Sequence, residues 1–166
     1  PPLRPFETAG QLIEGTAAIF QAVDPSFARD FDVLRRHELL DLESRKGKAP
    51  GGYQSTLDEV RLPFIFMNSA GRSRDVFTLL HEGGHSFHAL AARTEPLLAY
   101  RHAPMEFCEV ASMGMEMMAC ERVEAFYRPE DAARARRAQL EEVLELLPWI
   151  ARVDAFQHWL YTHPGH

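Results

Sequence analysis

This sequence predicts a mainly helical domain with one small β region lying just before a histidine-bearing helix, and three observations carry that prediction. Apolar residues recur at three- and four-residue spacing through most of the chain. Aspartate and proline stand at the positions where helices begin. A single short aromatic run, RLPFIFMN at residues 61–68, breaks the helical period and has the composition of a strand. The chain has 166 residues, the size of one ordinary domain, and no stretch of linker composition divides it.

Taken in order, Thr8 to Val23 is an amphipathic helix with Leu12, Ile13, Ala17 and Phe20 on one side. Asp24-Pro25 starts a second helix through Phe27, Phe31 and Leu34 to about residue 37. Leu39 to Glu43 fits either a helix end or a short strand, and RKGKAPGGY at 45–53 has loop composition. The strand at 61–68 contains Pro63, which cannot donate to a ladder, so an edge position is expected. Ser73 or Asp75 caps the next helix, which runs to about Arg93, and Pro96 and Pro104 bracket a loop. A long helix is expected over Met105–Tyr127, another from Pro129, and a last one over Trp149–Tyr161 after an interruption at Pro148. Trp149, Phe156 and Trp159 are expected in the core or capping a groove.

Composition excludes several functional classes. Hydrophobic residues make up 46% of the chain, enough for a core, yet no apolar run is long enough to cross a membrane. The net charge is −6 and the basic residues are scattered or interleaved with acids, which argues against nucleic acid as a partner. Arg134, Arg136 and Arg137 with Glu141, Glu142 and Glu145 fit a solvated helix face with ion pairs along it. Cys108 and Cys120 fall in one expected helix, too far apart to bridge, and two free thiols suit a cytoplasmic setting. The opening PPLRPFE has no signal-peptide pattern, and with no initiating Met and an abrupt end at THPGH both termini are expected to be cut points.

The chemistry centres on His81-Glu82-Gly83-Gly84-His85. Residues four apart on a helix sit one turn above each other, so both imidazoles can reach one Zn²⁺ ion. Glu82 lies about 100° round from His81 and about 60° from His85, near such a metal but not aimed at it. That is where a general base for zinc-activated water belongs. The apolar Val76, Phe77, Leu79 and Leu80 make this a buried helix, and buried imidazoles and carboxylates need partners. Gly83 and Gly84 each cost roughly 1 kcal/mol inside a helix, so something must approach closely there.

A catalytic zinc needs a third protein ligand and an open position. His88 follows His85 too soon to be a ligand and fits a supporting or packing role. Glu106, Glu109 and Glu116 cluster on one side of the following helix, with Met113 among them. Spacing does not choose among these three.

HEGGH followed by EFCEVASMGME resembles the oligoendopeptidase F / thimet oligopeptidase family of zinc peptidases. NSAGRSRDVFTLLHEGGHSFH and the loop GKAPGGY resemble the same family, so the likeness covers nearly the whole chain. The resemblance implies a gluzincin-type catalytic domain, of which residues 1–166 would be part, with one zinc per chain. It implies Glu109, opening EVASMGME, as third ligand, and Glu116 as the outer acid that holds a ligand histidine. Glu106 is left as a nearby polar residue, and Gly83 departs from the bulkier residue of better-known members. It also implies peptide substrates laid along an edge strand before the zinc helix, matched here by residues 61–68. Gly51-Gly52 fits either a close approach to that substrate or a plain turn. The Tyr and His that stabilise the transition state in such enzymes have no match here, so slow or absent cleavage by the isolated chain is expected. His158, Tyr161, His163 and His166 are given no role.

Two rivals give different expectations. A metallocarboxypeptidase with a similar motif would spare end-blocked peptides. A non-catalytic, zinc-stabilised interaction module would close the site with a fourth ligand, and Cys108 beside Glu109 is the one feature that hints at it.

Overall fold

The computed structural model describes residues 1–165. Helix α1 (Ala9–Val23) opens on a reciprocal cap, in which the Thr8 hydroxyl accepts from the Gln11 backbone and the Gln11 side chain accepts from Thr8. Helix α2 (Pro25–Arg36) begins where Asp24 accepts from Ser26, with Pro25 in the first turn. Three strands follow: β1 (Leu40–Glu43), β2 (Gly52–Leu57) and β3 (Leu62–Ser69). Helix α3 (Ser73–Ala92) carries the His-Glu-Gly-Gly-His motif and α4 (Met105–Cys120) lies against it. Helix α5 (Pro129–Thr162) closes the described residues, with short 3-10 turns at Leu98–Tyr100 and Val123–Ala125. The architecture is mainly helical with one small sheet, as expected. No helix among the described residues is long and apolar enough to cross a membrane.

Five expectations are corrected. The sheet order is β1-β3-β2, so the strand around residues 61–68 is central rather than at an edge. Pro63 is tolerated because its nitrogen faces the β1 side before β1 begins: the first link on that side is Ile65 N–H to Leu39. The edge strand that β3 pairs with antiparallel is β2, which lies partly in the stretch of loop composition. Helix α4 stops at Cys120 instead of Tyr127. Helix α5 continues through Pro148, which leaves the Leu144 carbonyl without its helical donor. Leu144 is exposed, so water can take that carbonyl. Trp149, Phe156 and Trp159 are exposed on the same half of α5 and take no part in the core.

The core sits where α1, α2, α3 and the sheet meet. Phe20 of α1 is fully buried and meets Phe31 and Phe87 edge-on, with ring centroids 5.1 and 4.8 Å away. Strand β3 buries Pro63, Ile65, Met67 and Ser69 in strict alternation, so one face packs inward. Asp75 in the first turn of α3 accepts from the Ala70 and Arg72 backbones, so Asp75, not Ser73, fixes where this helix starts.

A small electrostatic clamp fastens the loop between β1 and β2. The Lys48 ammonium, 2% exposed, bonds the Asp41 carboxylate at 2.9 Å and the Glu43 carbonyl at 2.7 Å, and lies 4.6 Å from the centre of the Phe66 ring. Arg45 makes two further bonds to Asp41. The Arg45 bond, joined by Lys48 and opposed by partial burial, holds the Asp41 carboxyl well below the usual carboxylate range. The folded chain therefore binds this proton less readily than the unfolded one. The clamp's contribution is complete above about pH 4 and drains away as the pH falls below it. Asp41→Asn is expected to lower the urea midpoint at neutral pH and to flatten its decline in acid.

Candidate metal centre

One turn of α3 and one turn of α4 supply the site. Gly84 explains why they come so close: a Cβ there would stand 2.6 Å from the Ala111 carbonyl oxygen and 2.7 Å from Ser112 Cα. About 100° round the helix, a Cβ at Gly83 would stand 2.5 Å from the Phe20 ring. The two glycines thus let backbone meet backbone on one face and an aromatic ring lie flush on another.

That approach brings three donors together. Glu109 Oε2 lies 3.4 Å from His81 Nε2 and 3.8 Å from His85 Nε2. One donor atom from each of His81, His85 and Glu109 lies within 4.8 Å of the others. The two imidazoles stand nearly perpendicular, with centroids 4.7 Å apart. Two imidazoles and one carboxylate are a donor set that suits zinc. Among the described residues no fourth donor joins them, and the Cys108 thiol is turned to the Ala103 carbonyl at 3.6 Å. The closed four-ligand arrangement of an interaction module is not what these residues form.

Two of the donors are steadied from behind. His81 Nδ1 is 2.6 Å from Glu116 Oε1, and the other Glu116 oxygen accepts from the Gln139 amide at 2.7 Å. The Ser112 hydroxyl, fully buried, lies 2.8 Å from Glu109 Oε2. Sequence reasoning missed Ser112 and Gln139. Ser112 had a visible signal, sitting one helical turn after Glu109, whereas Gln139 had none without knowing where α5 docks.

Glu82 lies apart from the three donors and is 6% exposed. Burial pushes its carboxyl up from the ordinary glutamate value, against the pull of His81 and of the Gln54 backbone, and with a push from Glu109 and Glu116. Burial also lowers His85, helped by the charge of His81 and opposed by Glu109. On His81 burial disfavours the charge, but the Glu116 bond and the surrounding carboxylates outweigh it, so its pKa is raised. Three carboxylates around two imidazoles, Glu82 buried and Glu109 and Glu116 partly so, are a place where a divalent cation would offset the charge. Glu106 is exposed and outside the cluster, and His88 lies one turn beyond His85 without joining it.

Two histidines one turn apart with a glutamate between them, facing a glutamate of a second helix, form the ligand pattern of the HExxH metallopeptidase class. The chain belongs to peptidase family M3, whose family model matches residues 26–166. Similar proteins include the chromosomal oligoendopeptidase F of Lactococcus lactis subsp. cremoris, 34% identical over 73 residues, or 44% of this chain and 12% of that protein. Oligopeptidase PepF of Bacillus subtilis (strain 168) is 34% identical over 79 residues, 48% of this chain and 12% of that one. The fold is similar to the structure of PZ peptidase A with an inhibitor, at a TM-score of 0.89 and 35% identity over 98% of this chain and 29% of that chain. It is also similar to a provisionally named oligoendopeptidase F from Bacillus anthracis str. Ames, at a TM-score of 0.89 and 31% identity over 98% of this chain and 30% of that one. The matched stretch thus covers about an eighth of the length of these curated relatives, and the whole chain spans less than a third of the matched structures.

Proposed function

We propose that residues 1–166 are part of the catalytic domain of a zinc-dependent endopeptidase acting on short peptides. The observation that carries this reading is the convergence of His81, His85 and Glu109 beside the buried Glu82. His81, His85 and Glu109 would hold one zinc per chain, and Glu116 would orient His81. When bound, the metal would act as a Lewis acid that acidifies water and polarises the scissile carbonyl. Glu82 accepts the proton of the attacking water and returns it to the leaving amine. Burial favours this role by raising its pKa towards the range where a proton can be both taken and given.

Strand β2, rather than residues 61–68, offers the edge for an extended peptide. The Gln54 backbone is close enough to the Glu82 carboxylate to lower its pKa, so a peptide paired to β2 would run beside the proposed base. The relatives named oligoendopeptidase favour internal cleavage over removal of a C-terminal residue. The two free cysteines fit a reducing, cytoplasmic location.

The test is cleavage of an end-blocked peptide under single-turnover conditions, with zinc content measured in parallel. Cleavage of the blocked peptide supports the endopeptidase, and cleavage of the unblocked peptide alone supports a carboxypeptidase. Glu82→Gln is expected to keep its zinc while cleavage falls by about 10²–10⁴-fold. Unchanged cleavage in that variant would remove Glu82 from the chemistry.

A further inference from the structure

Helix α5 is held to the body by a short stretch only. Ala132, Ala135 and Gln139 are its buried residues, one stripe at helical spacing. Beyond them Leu140, Leu144, Leu147, Trp149 and Ile150 are exposed. The last buried position on this helix is thus a polar one, and a glutamine 5% exposed must find a partner. Its partner is Glu116, already engaged with His81.

We propose that Gln139 is a positioning residue of the metal centre. The proposal rests on the zinc reading of that centre. The Gln139 amide nitrogen can only donate, so it holds Glu116 Oε2 as an acceptor. With Oε2 tied to α5, Oε1 is left facing His81 Nδ1 at 2.6 Å, placed to accept from a ring N–H there. In the neutral ring a proton on Nδ1 leaves Nε2, the nitrogen 3.4 Å from Glu109, with its lone pair free for a cation. Three helices thereby set one nitrogen: α5 orients Glu116, Glu116 selects the tautomer of His81, and His81 presents Nε2 beside Glu109. An outer partner bonded to a ligand histidine, as Glu116 is, is worth roughly 10–100-fold in metal affinity, and Gln139 acts through it.

The competing explanation is that Gln139 merely helps α5 dock. Arg136, one turn earlier, separates the two, because it also fastens α5, through Glu124 at 2.6 Å, without touching the metal centre. Zinc affinity is measured by competition with a chelator for the wild type, Gln139→Met, Gln139→Lys and Arg136→Ala. Gln139→Met keeps the volume and the flexible stem but has no donor, and about 10-fold weaker binding, the low end for a direct partner of a ligand, is expected. Gln139→Lys restores a donor and is expected to bind zinc more tightly than Gln139→Met, and Arg136→Ala should match the wild type. Proton NMR of the metal-free proteins adds a second readout: the hydrogen-bonded Nδ1–H of His81 should appear far downfield in the wild type and be lost in Gln139→Met. Wild-type affinity in Gln139→Met, equal weakening in Arg136→Ala, or no gain from Gln139→Lys would each overturn the proposal. A wild type that takes up no zinc would sink the zinc reading, while the metal-free NMR comparison would still decide the role of Gln139.

Discussion

Zinc is expected to be lost, or held far more weakly, when either His85 or Glu109 is replaced by alanine. The wild type is expected to carry about one ion per chain. The reasoning is geometric: His81 and His85 come from one helix and Glu109 from another, so the third donor alone spans the gap between α3 and α4. Removing it leaves two imidazoles on one turn and no carboxylate among the donors. The loss should exceed the roughly 10–100-fold that accompanies removal of outer partners. Elemental analysis of the purified variants beside the wild type gives the answer directly. Zinc retained in Glu109→Ala would move the third ligand to Glu116, the other glutamate at the centre. Retention in His85→Ala would end the two-histidine assignment.

The second large effect is expected from Gly84→Val. The neighbours of the added side chain are the Ala111 carbonyl oxygen and Ser112 Cα, both backbone atoms of a packed helix. A rotamer change cannot clear them, so α4 has to move away from α3. Overpacking of this sort costs about 1–3 kcal/mol, and more where backbone must yield. The shift also draws Glu109 away from His81 and His85, so stability and zinc binding should fall together. The equivalent change at Gly83 meets the ring of Phe20 instead. Gly83→Ala paired with Phe20→Leu should therefore recover part of the lost stability, whereas no side-chain change opposite Gly84 can do so. Thermal melts of the four proteins with and without zinc distinguish these cases. A Gly84→Val protein as stable and as zinc-loaded as the wild type would show that the two helices are not in contact in solution.

Much of this centre was legible before any coordinates, for identifiable reasons. His81 and His85 are four residues apart on one helix, and helical geometry turns that spacing directly into proximity. Gly83 and Gly84 signalled a close approach because their cost inside a helix demands an explanation. Periodicity also located α1 and α2. What stayed hidden depends on how separate elements meet. Spacing left Glu106, Glu109 and Glu116 equivalent, and the structure separates them because only Glu109 faces both imidazoles. The position of the strand around residues 61–68 was misjudged because Pro63 marks a missing donor without saying which neighbour is absent at that point. Strand β2 was overlooked since its residues, GYQSTL, have little apolar character, as suits an edge whose side chains are half in solvent. The exposed aromatics of α5 show the limit of composition: Trp149 and Phe156 fit a core by type, yet they stay exposed and meet side chains of their own helix, Arg152 over Trp149 and Trp159 beside Phe156.

The contact at Gly84 also acts as a fulcrum. His85 is the next residue along and His81 is three residues back, while Glu109 lies two and three residues before the atoms that touch. At about 1.5 Å of rise per residue, every donor sits within about 5 Å of the crossing point along its helix. Rocking one helix against the other by about 5° would then shift a donor by only about 0.4 Å. The far ends of α3 and α4 can swing several times further for the same rotation. Flexing of the scaffold is thus geared down at the one place where a ligand sphere would have to keep its dimensions.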